Sequence, residues 1–258
     1  MARIPRPRRK LARRRIPRTV VPSFFTLMNL FSGFIAVIQI QHGDYTQACW
    51  LIVLAGFFDL LDGMMARLTN SQSQFGVELD SLADVVSFGL APSFLIYNVA
   101  LQEMKLLGLF VSALPVLCGA VRLARFNITF DGEKKGTFTG LPIPMQAAAI
   151  VAIVLNLQEQ TILLPGITPR ALAIVSIVLA LLMVSNVPFD AGPRPSAYYV
   201  KSAPVKAILY LLAAIGTLVW IPEGLLVALA LYLSWGLVNA ALHLFKAVRS
   251  AEPAPDDV

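Results

Sequence analysis

Long apolar runs, separated by short polar or Gly- and Pro-bearing segments, dominate this chain. A helix needs about 20 mostly apolar residues to cross lipid. Runs of that kind fall at 20–41, 46–69, 77–100, 105–126, 142–157, 168–186, 204–220 and 223–246. The fifth is short, and only Ile221 and Pro222 separate the last two. The pattern predicts an all-α integral membrane protein with about eight transmembrane helices in one compact bundle. The membrane domain covers 19–246, after a basic cytoplasmic tail at 1–18 and before a disordered tail at 247–258. No internal repeat, heptad array or second soluble domain interrupts it.

Composition supports this picture. Hydrophobic residues make up 57 % of the chain and charged residues only 14 %, far from the balance of a soluble domain. Nine Lys or Arg crowd the first 18 residues. They read as a tail that sets topology and touches anionic lipid. No aromatic residues interleave them, so nucleic acid is not an expected partner. The following apolar run is too long for a secretory signal peptide. With the N-terminus inside, only Lys105 and Arg170 fall in outer loops, which leaves nineteen of the 21 basic residues inside. That asymmetry predicts a multi-pass cell-membrane protein with both termini cytoplasmic. Cys49 and Cys118 read as small packing residues. His42 and His243 lack partners at ligand spacing.

Against this background, residues 59–84 stand out. Asp59 and Asp62 are three apart and Asp80 and Asp84 four apart, so each pair shares a helix face. Gly63 and Arg67 flank the first pair, and Gly76 lies one turn before Asp80. Side-by-side packing of the two helices would bring four carboxylates together on the cytoplasmic side. Like charges raise one another's pKa, and a divalent cation removes that penalty. Oxygen ligands without His or Cys point to Mg²⁺ or Mn²⁺. Four Asp suit two ions clamping a phosphoryl group. A cation relay in a transporter, or polar glue between helices, remains open on spacing alone.

The pattern D-x2-D-G-x2-A-R-x8-G-x3-D-x3-D, running from Asp59 to Asp84, resembles the signature of the CDP-alcohol phosphatidyltransferase family. Further stretches are similar to its phosphatidylserine synthase branch: residues 78–92, 122–127 (R-L-A-R-F-N) and 140–144 (G-L-P-I-P). The segment 187–203 is longer and differently composed than in that branch. The resemblance implies transfer of a phosphatidyl group from CDP-diacylglycerol to L-serine, giving phosphatidylserine and CMP. Glycerol phosphate or inositol phosphate is the rival acceptor, and a cation-coupled transporter the rival outside the class. The resemblance also implies that Asp59, Asp62, Asp80 and Asp84 are the metal ligands, with Asp84 doubling as general base. Spacing leaves the choice of base open among the four. By the same resemblance Gly63, Arg67 and Gly76 would contact the nucleotide.

Asn29, Ser32 and Gly33 share a face of the first helix. They read as close packing with Asn as interhelical glue, and the resemblance adds a nucleotide contact at Asn29. Arg122 and Arg125, three apart, read either as snorkelling anchors or as an anion site for the acceptor or a phosphate. Helix 3 should begin near Gly76 and kink or break at Pro92. The polar segments 128–140 and 186–203 read as inner loops, the first a gate over the site. Nothing after Val205 suggests chemistry, so the last two helices read as packing or dimer surface.

Overall fold

A computed structural model describes residues 20–69, 73–129, 137–159, 167–190 and 220–251. Helices α1 (Val20–His42) and α2 (Tyr45–Leu68) form a hairpin around Gly43 and Asp44. After α3 (Gln74–Asp84) the helix widens into a π segment, Val85–Leu90, continues as α4 (Ala91–Ile96), and widens again at Tyr97–Leu101. The chain turns back through Gln102–Met104 and Lys105, whose φ is 51°. Helix α5 (Lys105–Thr129) then packs along the segments just traversed. Helices α6 (Ile143–Gln158), α7 (Pro169–Val184) and α8 (Glu223–Ala251) complete the described bundle.

Seven of the eight expected apolar runs coincide with helices, and 204–220 lies outside the described residues. Three helical stretches are long and apolar enough to cross a membrane: Val21–His42, Tyr45–Leu68 and Gln74–Ile128. The last, 55 residues long, contains two of the expected runs. Ile143–Gln158, Pro169–Val184 and Glu223–Asn239 are shorter apolar helices. The basic tail 1–18 also lies outside the described residues. Helix α8 continues to Ala251, past the expected boundary at 247, because Ala247, Val248 and Arg249 sustain a helix.

Three local expectations change. Helix α3 starts two residues before Gly76, because Ser73 caps it: its hydroxyl accepts the Gly76 N–H at 3.1 Å. Pro92 neither breaks nor ends the span. It lacks the N–H that would bond back to Phe88, and the π turn ahead of it absorbs the mismatch, with the Ala91 N–H reaching Val86 O. The third change adds one small element to the all-α bundle. The segments expected as inner loops carry a short antiparallel pair, β1 (Thr137–Thr139) with β2 (Pro188–Asp190), Phe138 opposite Phe189.

Helix α6 sits at the centre. Ala147, Ile150, Val151, Ala152, Val154 and Leu155 are all buried, as expected of a helix apolar on every side. It packs against α2, α4, α7, α8 and the first π segment. Helix α1 is the other organiser. It packs on both α2 and α3, whereas α2 meets the α3 span chiefly deeper, at the π segment and α4. The two Asp-bearing helices share α1 as a spine, and their carboxylates meet across it.

Candidate active site

The Asp-bearing ends of α2 and α3 form a two-tier acidic wall. At about 1.5 Å per residue, Asp62 and Asp80 each lie about 9 Å from the facing ends of their helices, Leu68 and Gln74. Asp59 and Asp84 lie about 14–15 Å from those ends by the same rise. Asp59, Asp62 and Asp80 each place a carboxylate oxygen within 4.8 Å of the other two. Asp62 Oδ2 and Asp80 Oδ1 are buried without a hydrogen-bond partner. Buried charged oxygens left unpaired are costly. The donor set, all hard oxygens, fits a divalent cation.

Asp84 stands just outside this triad and is held differently. Its Oδ1 accepts Asn29 Nδ2–H at 3.3 Å, while the Asn29 backbone carbonyl accepts the Ser87 hydroxyl at 2.9 Å. Asn29 is fully buried and its Oδ1 has no partner. This clamp requires α1 and the π segment to touch backbone to backbone. A Cβ on Gly33 would overlap the Ser87 side chain and come within 2.7 Å of its Cα. The small face of α1 thus does pack closely, and Asn29 does act as interhelical glue. One of its two Nδ2–H donors goes to Asp84. Ser32 bonds back to its own helix at Met28 O, 2.8 Å away.

Two residues with no place in the sequence reading join the wall. Thr26, one turn before Asn29 and 4 % exposed, sets its hydroxyl between Pro22 O and the Asp62 carboxylate. Ser87 closes the clamp on Asn29. The i, i+3 spacing of Thr26 and Asn29 was the available signal for the first. Nothing in the sequence signalled the second, because the π turn alters which residues follow Asp84 on its face.

The nucleotide candidates differ from one another. A Cβ on Gly63 would meet nothing within 4 Å, so open space lies beside Asp62. Arg67 is exposed in the last turn of α2. The Gly76 N–H is taken by Ser73, and a Cβ there would crowd that hydroxyl at 3.2 Å. Helix capping accounts for Gly76.

The two arginines of α5 also part company. Arg125 donates to Val184 O at 3.0 Å and Ser185 O at 3.4 Å, the carbonyl end of α7. Arg122 is 7 % exposed and its Nε has no partner. Asn127, at the end of α5, donates to Ser81 Oγ at 3.0 Å and Glu78 Oε2 at 3.5 Å, tying α5 to α3. A cavity of about 370 Å³ opens elsewhere, between Asn98, Glu103 and Gln158. It carries one carboxylate, too little charge to gather a divalent cation.

The acidic wall lies within the interval covered by a known family. The family model for CDP-alcohol phosphatidyltransferase matches residues 19–184, which run from α1 to the end of α7. The chain belongs to the CDP-alcohol phosphatidyltransferase family. Its relatives within that family carry a consistent description. CDP-diacylglycerol–serine O-phosphatidyltransferase of Helicobacter pylori is 37 % identical over 232 residues, 90 % of this chain and 95 % of its own length. The enzyme of the same name from Bacillus subtilis is 37 % identical over 182 residues, 70 % of this chain and 96 % of its own. Archaetidylserine synthase of Methanothermobacter thermautotrophicus is 36 % identical over 171 residues, 66 % and 69 % of the two chains. Helix α8 lies beyond the residues that the family model matches.

Proposed function

We propose that the protein transfers the phosphatidyl group of CDP-diacylglycerol to L-serine, yielding phosphatidylserine and CMP. The observation that carries this reading is the acidic triad with its unpartnered oxygens, set beside an Asp84 that Asn29 holds in place. Relatives named for serine transfer, at 37 % identity across 90 % of the chain, support the choice of alcohol. Asp59, Asp62 and Asp80 would hold the metal, with Asp84 shared between metal binding and base. Mg²⁺ or Mn²⁺, as two ions, when bound supplies charge neutralisation on the diphosphate and on the departing CMP.

Asp84 takes the proton of the serine hydroxyl. The serine oxygen bonds to the lipid-side phosphorus as the bridging P–O bond breaks, and CMP leaves with that bonding pair. Asn29 fixes one Asp84 oxygen and leaves the other for the proton. The open space at Gly63 admits the nucleotide, and Arg67 lies at the rim for its phosphates. Arg122 offers a guanidinium fork to an anion. Membrane domain 19–246 spans the cell membrane eight times, with both termini and the acidic wall cytoplasmic. A homodimer through α8 fits its exposed Val227, Leu231, Trp235 and Val238.

The direct test is an alcohol panel. Membranes bearing the protein receive CDP-diacylglycerol, Mg²⁺ or Mn²⁺, and serine, glycerol phosphate or inositol phosphate, and CMP release is measured. Serine-dependent release is expected. Release with a phosphate-bearing alcohol alone would replace serine as acceptor. Topology has its own check: reporter fusions at Val258 and near His42 should read opposite sides of the membrane, and the same side for both would mean a miscounted helix.

A further inference from the structure

The bundle carries a second polar hollow, at the opposite end from the acidic wall. It is the cavity of about 370 Å³ whose lining includes Asn98, Gln102, Glu103, Gln158, Pro169 and Leu172. Asn98 lies about 20 Å further along its helical run than Asp84, by a rise of about 1.5 Å per residue. The cavity is therefore separate from the acidic wall, and the phosphatidyl transfer proposed above makes no use of it.

Three helix ends border this cavity. The run from Gln74 ends at Met104 and α6 ends at Gln158, which brings two carbonyl ends to it. Helix α7 begins at Pro169, which brings one amide end. Carbonyl ends favour cations and amide ends favour anions. The side chains repeat this division. Glu103 adds a carboxylate on the carbonyl side. One Nδ2–H of Asn98 goes to Phe94 O at 2.8 Å, so the amide nitrogen turns back along its own helix and Oδ1 remains an acceptor. Arg170 is exposed beside Pro169, on the amide side. The hollow is polarised, with acceptors and negative charge at one side and a helix N-terminus and a guanidinium at the other.

A cation with N–H donors fits the first side and a phosphate fits the second. A quaternary ammonium has no N–H to give. It also finds no cation–π face, because no aromatic ring stands among the described lining residues. The surroundings point to lipid as the source. Leu106, Leu107 and Phe110 follow shortly after Glu103 and are exposed, and Ile174 and Val178 lead away from Pro169 along α7 and are exposed too. Helices α5 and α7 pack together. Apolar faces of this kind on a membrane bundle meet acyl chains.

We propose that this cavity binds a phospholipid whose head group joins a primary ammonium to a phosphate. The ammonium lies at Glu103 and Asn98, the phosphate at the start of α7 beside Arg170, and the acyl chains along α5 and α7. The volume falls within the range of about 300–1,000 Å³ usual for ligand pockets.

The test is lipid binding by the full chain, titrated from detergent micelles and read by native mass spectrometry. The probes are phosphatidylethanolamine, phosphatidylcholine and phosphatidylglycerol with matched acyl chains. Wild type should bind phosphatidylethanolamine about 10- to 100-fold more tightly than phosphatidylcholine, the scale of a hydrogen bond to a charged group. Glu103→Gln should remove most of that preference and leave phosphatidylcholine binding unchanged. Glu103 is exposed, so the thermal midpoint of the variant should match wild type. Arg170→Gln should weaken all three lipids by about 2- to 5-fold, the scale of an exposed ion pair, since each carries the phosphate. Glu159→Gln, just past α6 and outside the described lining, should bind as wild type does.

Equal wild-type affinity for phosphatidylethanolamine and phosphatidylcholine, or an undiminished preference in Glu103→Gln, would overturn the proposal. So would an equal loss of preference in Glu159→Gln, which would trace it to surface charge and not to the cavity. Displacement of the lipid by phosphoethanolamine at equal concentration would also overturn it, because the ligand would then be a soluble amine.

Discussion

The acidic wall of α2 and α3 and the carbonyl end of α7 are both rich in polar groups, but they treat them in opposite ways. At the end of α7 the protein supplies its own partners. Gly140 N–H reaches Val187 O at 2.8 Å, Leu141 N–H reaches Leu182 O at 3.0 Å, and Arg125 covers Val184 O and Ser185 O. Gly140 has φ +81°, and a Cβ there would collide with Met183 O. This is a staple in which glycine is required by the closeness of two backbones. At the acidic wall, Asn29 Oδ1, Asp62 Oδ2 and Asp80 Oδ1 are buried and left open. The joint at α7 is saturated, whereas at the wall the open atoms include ionisable oxygens that meet in one cluster.

The contrast is broken most severely at the metal. Chelation with excess EDTA should abolish CMP release, and Asp62→Asn should stay inactive even at high Mg²⁺ or Mn²⁺. Full turnover under chelation would mean that the open carboxylates serve something else. Next in size is Asp84→Asn, which should lower turnover by at least about 10²-fold while CDP-diacylglycerol still binds with metal present. Normal turnover would move the base to another group.

A geometric challenge should cost somewhat less. Gly33→Ala forces α1 away from Ser87 and loosens the Asn29 clamp. Misplacement of a reacting group by about 1 Å can cost up to about 10²-fold, so kcat should fall by about 10- to 100-fold while metal binding, measured by Mn²⁺ titration, persists. Wild-type kcat would show that the close crossing is packing only. The smallest effect on catalysis is expected at the staple. Arg125→Gln should lower the unfolding free energy by about 1.5–3 kcal/mol, the scale of a hydrogen bond from a charged group, and shift the serine KM far less than Arg122→Gln. A serine KM raised as strongly in both variants would return Arg125 to the site.

Much of the wall was legible in the sequence because helical spacing is a strong constraint. Asp59 with Asp62 and Asp80 with Asp84 follow from i, i+3 and i, i+4, and hydrophobic run length located seven described helices. The paired i, i+3 arginines were legible as a face but not as two separate roles. Which one turns toward α7 depends on where that helix ends, a tertiary fact. Ser73 lies in a linker read only as a polar turn, so the cap it gives the Gly76 N–H was not legible. The β1–β2 pair is three residues long on each side, too short for alternation to register.

Gly33 has a consequence for how such a sequence can drift. A tight spot between two side chains can usually be reopened by a second change, one residue shrinking as the other grows. Here a Cβ at 33 would approach not only the Ser87 side chain but also its Cα, at 2.7 Å. Glycine at 87 would remove the first overlap and leave the second. Position 33 is therefore not half of an exchangeable pair. A lineage that loses this glycine cannot recover the crossing by trimming its neighbour, and must respace the two helices that carry the Asn29–Asp84 bond.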